Sequence, residues 1–109
     1  MSMRKPDLQK IVSLKRQKAE QDHAIAQKEL DRVGAEAQRL VETLSHLDHQ
    51  REDVRSLMMA HKNGHVTKLL RDIEALQSLV SEKETELLGV RDVLKRAFDS
   101  EDRLKRMKD

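Results

Sequence analysis

HKNGH, residues 61–65, is the stretch that decides the fold, because it interrupts two long runs that otherwise read as helix. Asn63-Gly64 tolerates positive φ, and Gly64 suits the left-handed position just past a helix end, where a Cβ would clash. A tight turn over residues 62–65 is therefore expected.

Working outward, both flanks carry the same pattern. Upstream, Val12, Arg16, Ala19, His23, Ala26, Leu30, Val33, Ala37, Leu40, Leu44, Leu47, Arg51, Val54 and Met58 step by four and three, the heptad signature. Downstream the steps continue through Val66, Leu69, Ile73, Leu76, Val80, Lys83, Leu87, Val90, Leu94, Ala97, Glu101, Leu104 and Lys108. The expected fold class is all-α, two long helices forming an antiparallel coiled-coil hairpin in a single domain, because a short turn makes successive helices antiparallel neighbours. Helix 1 is expected over about residues 6–61 and helix 2 over about 65–107, giving arms of roughly 80 and 65 Å. Pro6 and Asp7 suit the first helical turn.

Composition agrees with helix and excludes much else. Charged residues are 39% of the 109, aromatics 1%, and only three glycines and one proline interrupt the helix formers. With Phe98 as the sole aromatic, a globular enzyme core lacks its fillers. No nucleophile and base, no paired carboxylates and no phosphate-cradling loop is recognisable, so no catalytic residue and no cofactor is expected. There is no cysteine, which fits a reducing compartment, and no apolar run long enough to span a bilayer. A cytoplasmic protein is the default. His46 and His49, and His61 and His65, have spacings that can share a metal on a helix, yet neither pair has a third ligand, and they read as surface histidines.

A turn at residues 62–65 pairs positions whose numbers sum to roughly 127, such as Leu47 with Val80 and Leu40 with Leu87. Helix 2 then reaches only the level of about residue 18. Leu8, Ile11, Val12 and Leu14 are left without an intramolecular partner, among Lys15, Arg16 and Lys18. These seven residues are the expected partner-binding set, since several large apolar side chains together call for a cover. A fraying helix end is the plainer reading. Residues 1–18 and 95–109 together carry about +7 and residues 19–94 about −5, which would steer that end toward an acidic surface. Arg16, Arg51, Lys83, Glu101 and Lys108 interrupt the apolar series as register-setting polar layers. Gly34 and Gly89 fall near one height in this register, a soft point in the shaft. Nucleic acid is a weaker fit, as there are no stacking aromatics and the shaft is acidic.

The segment LQKIVSLKRQKAEQDHAIAQKELDRVGAEAQRLVETL, residues 8–44, resembles the start of the FliJ family of flagellar export proteins and its relatives in type III secretion. Leu8, Gln9, Ile11, Leu14, Lys15, Ala19 and Glu20 occupy family-like positions; helix 2 matches by pattern only. The resemblance implies a non-enzymatic helical hairpin that binds the hexameric export ATPase, with export-gate and chaperone proteins as further partners, at the inner-membrane export apparatus. The alternatives are a coiled-coil scaffold that forms a homodimer through Leu8–Leu14 and a nucleic-acid-binding hairpin.

Overall fold

The computed structural model describes residues 5–53 and 59–108, with side chains at 7–47 and 64–107. All of these residues are helical: α1 spans Lys5–Asp53 and α2 spans Met59–Lys108. Asp7 lies in the first turn of α1, where the exposed amides favour an acidic group. The two helices form an all-α antiparallel hairpin.

Two compact units divide the chain. The first takes residues 1–29 and 83–109. Its direction is set by cross-helix neighbours: Arg16 meets Glu101, and Gln9, Ser13 and Arg16 line one cleft with Glu101, Leu104 and Lys105. Numbers rise along α1 as they fall along α2. Ala19 and Leu87 are buried, and Val12, His23, Ala26, Val90, Leu94, Ala97 and Leu104 are half-buried.

The second unit takes residues 30–82. Its core is Val33, which is fully buried, with Ala37, Leu69 and Ile73; Leu30, Leu40, Leu44, Leu47, Leu76 and Val80 are half-buried around them. Every described heptad position named from the sequence is thus buried or half-buried, in both units.

Four expectations are corrected. The turn is not at residues 62–65: α2 begins at Met59, and Asn63-Gly64 lies inside it. Gly64 has no positive φ, and a Cβ there would meet nothing within 4 Å, so the helix makes no demand for glycine. Residues 54–58, part of the expected helix 1, lie outside the described residues. The register differs too, because Arg16 and Glu101 sum to 117, not 127. As a result helix 2 does not stop at the level of residue 18. It runs alongside Gln9, Ser13 and Arg16, and the bare overhang is absent from the described structure. Gly34 and Gly89 fall in separate units.

Candidate interaction surface

The first unit presents two different flanks, one on each side of its seam. On one flank a polar layer is closed internally. Arg16 and Glu101 occupy seam positions on opposite helices. A charge placed in a seam must be paired or it destabilises the packing around it. The Arg16 guanidinium donates from Nη1 to Glu20 Oε1 at 3.0 Å and from Nε to Glu101 Oε2 at 3.3 Å. Its centre stands 6.0 Å from the Phe98 ring centroid, within cation–π range. The Arg16 and Glu101 side chains are only 22% and 18% accessible. The hydrogen bond to Glu20, then that to Glu101, raises the Arg16 pKa above its ordinary value. Of the seven residues expected to bind a partner, Arg16 is therefore engaged within the chain.

The opposite flank is an open groove of about 470 Å³ between α1 and α2. Val12, Ala19, Val93 and Ala97 contribute its apolar surface, and Lys15, Lys18, Asp22, Arg96 and Ser100 its polar part. Two of the lining residues, Ala19 and Ala97, are small, and Ala19 is buried. Lys18 pairs with Asp22 at 3.3 Å, and Arg96 with Asp92 at 3.1 Å, both along their own helices. Lys15 makes no ion pair among the described residues. Three cations against one carboxylate leave the lining positive.

The remaining expected residues are dispersed over this unit. Leu8 and Leu14 are exposed, at 44% and 53%, and Ile11 is half-buried. Val12, Lys15 and Lys18 line the groove. What sequence reasoning missed is the α2 wall, Val93, Arg96, Ala97 and Ser100. Its signal was available in Glu101, the one acid among the five charges interrupting the apolar series, since pairing it with Arg16 selects the register that brings this wall to Lys15 and Lys18. Away from the seam, Leu88 and Ile25 are 61% and 67% exposed.

No group of three or more His, Asp or Glu side chains suited to a metal exists among the described residues. His61 and His49 lie outside those whose side chains are described. No described helix is long and apolar enough to cross a membrane. No family model matches this chain, and no curated protein and no solved structure matches it. Fold and surface together define a class, the helical hairpin with a basic, apolar-floored flank.

Proposed function

We propose that this chain is a non-enzymatic coiled-coil component of a bacterial flagellar or type III export apparatus that binds the hexameric export ATPase, with export-gate or chaperone proteins as further partners. One observation carries the reading: Leu8 and Leu14 stand exposed on α1 beside Lys15 and Lys18, within the segment whose residues resemble the export family. A helix that displays large apolar side chains among lysines is suited to a protein surface, because burying such a side chain yields roughly 1.5–3 kcal/mol. The open grooves of the first unit suit binding better than enclosure of a substrate. The site of action on this reading is the cytoplasmic face of the export machinery.

The test is binding to the export ATPase encoded in the same genome, followed by titration calorimetry and by ATP turnover. Wild-type chain is expected to bind and to change turnover, and Leu8→Asp/Leu14→Asp to weaken binding at least about tenfold with helicity retained, since both positions are exposed. No binding by the wild type would remove the export reading.

A further inference from the structure

We propose that the groove between Val12–Asp22 of α1 and Val93–Ser100 of α2 is the docking site for one acidic amphipathic helix of another protein. This deepens the interaction reading above and rests on it.

The dimensions point to a helix. At 1.5 Å per residue the α1 wall is about 15 Å long, or three helical turns. The walls are themselves helices, and a third helix laid between them completes a local three-helix bundle, the ordinary way for two packed helices to cover a shared flank. The apolar surface from Val12, Ala19, Val93 and Ala97 accepts the apolar stripe of such a helix. Val93 is 52% exposed, so its methyls are available for that contact.

Charge selects the occupant. Lys15, Lys18 and Arg96 stand along the groove with Asp22 as the only carboxylate lining it. Asp22 is already held by Lys18, and the carboxylate that holds Arg96 is Asp92, outside the groove. Lysine and arginine extend from their stems to water, so these three cations can meet acidic residues flanking the apolar stripe of the guest. A second copy of the chain is the wrong partner. A two-fold dimer through this flank sets Lys15, Lys18 and Arg96 of each copy against the same residues of the other, and like charges across an interface oppose association.

The test uses a fluorescein-labelled synthetic helix of about 14 residues, long enough to fill the groove, with Leu at seam positions and Glu on both flanks. A sister peptide carries Lys in place of Glu. Fluorescence anisotropy with the full chain should show the acidic peptide binding at least about tenfold more tightly than the basic one, with affinity falling as salt rises. Lys15→Glu/Lys18→Glu/Arg96→Glu should invert that preference while circular dichroism shows unchanged helicity. Val93→Gln should weaken the acidic peptide several-fold, with Phe98→Gln, on the opposite flank, as the control. The proposal is overturned by equal affinity for the two peptides, by no binding of either, or by a triple variant that binds as the wild type does. It is also overturned if sedimentation shows a dimer that Val93→Lys dissociates, which assigns the groove to a second copy. The two readings fail separately. An ATPase bound by a chain that does not prefer the acidic peptide sinks the groove and spares the export reading; an acidic helix bound by a chain that ignores the ATPase does the reverse.

Discussion

At the scale of single residues, Arg16 and Glu101 matter most. Each alone would place an unmatched charge in the seam, and each becomes tolerable because the other stands opposite, with Glu20 taking a second guanidinium hydrogen. Arg16→Glu is expected to lower the thermal midpoint, Glu101→Arg to do the same, and the double exchange to lower it by less than the sum of the two, restoring the cross-helix pair but not the bond to Glu20, as measured by circular dichroism. Two losses that simply add would exclude the cross-helix pair. The sign of the pH effect follows from a pKa raised above the ordinary guanidinium value. The stabilisation from charged Arg16 is fully present below the unfolded-state pKa and is lost only as pH rises through the still higher folded one, so Arg16 itself contributes no pH dependence near neutrality. Gly64 gives a second test. It is helical, without positive φ and with open space where a Cβ would lie, so Gly64→Ala should stabilise the chain by about 0.5–1 kcal/mol in urea unfolding. A left-handed turn residue would be destabilised by the same change.

At the scale of the elements, α1 and α2 are held by one apolar stripe each, not by propensity alone. Arg96–Asp92 and Arg106–Asp102 place the acid N-terminal to the base, the better order, and such exposed pairs are worth about 0.3–0.5 kcal/mol each. Packing dominates. Leu87 is 6% exposed while Leu88, its neighbour, is 61% exposed. Leu87→Ala should therefore cost about 2 kcal/mol or more, and Leu88→Ala stay within about 0.5 kcal/mol, in the same urea titration. Which residues face the seam was legible because a period of seven places them on one side of any helix. The register was not, because seam positions recur on both helices and sliding one past the other by a heptad step still sets seam against seam. In the register summing to 127, Ala26 would face Glu101; in the observed one, Arg16 does. The choice between registers lies in that polar layer and in the place where the chain reverses, and Asn63-Gly64 was a misleading guide to the latter.

At the scale of the whole molecule, charge is divided between the units, though less sharply than the linear count had it. Residues 1–29 and 83–109 hold 15 basic and 11 acidic side chains, and residues 30–82 hold 7 and 9. Residues 19–29 and 83–94 bring acidic groups into the first unit and dilute its charge, so the positive lining of the groove, with Lys15, Lys18 and Arg96, is a local feature of one flank. Intramolecular ion pairs here are mostly exposed, and raising salt from about 0.05 to about 0.5 M should shift the thermal midpoint by less than about 3 °C while weakening any acidic partner strongly. A fall of midpoint well beyond that would mean that ion pairs, not the seam, hold the hairpin. What the sequence alone determined is the helical class, the pairing of two helices and the identity of the seam residues, since these follow from composition and from a repeat that each helix carries within itself. Only the tertiary structure decided the register, and with it the groove: the α2 wall becomes a neighbour of Lys15 and Lys18 through one particular alignment of two helices that many alignments would have packed nearly as well.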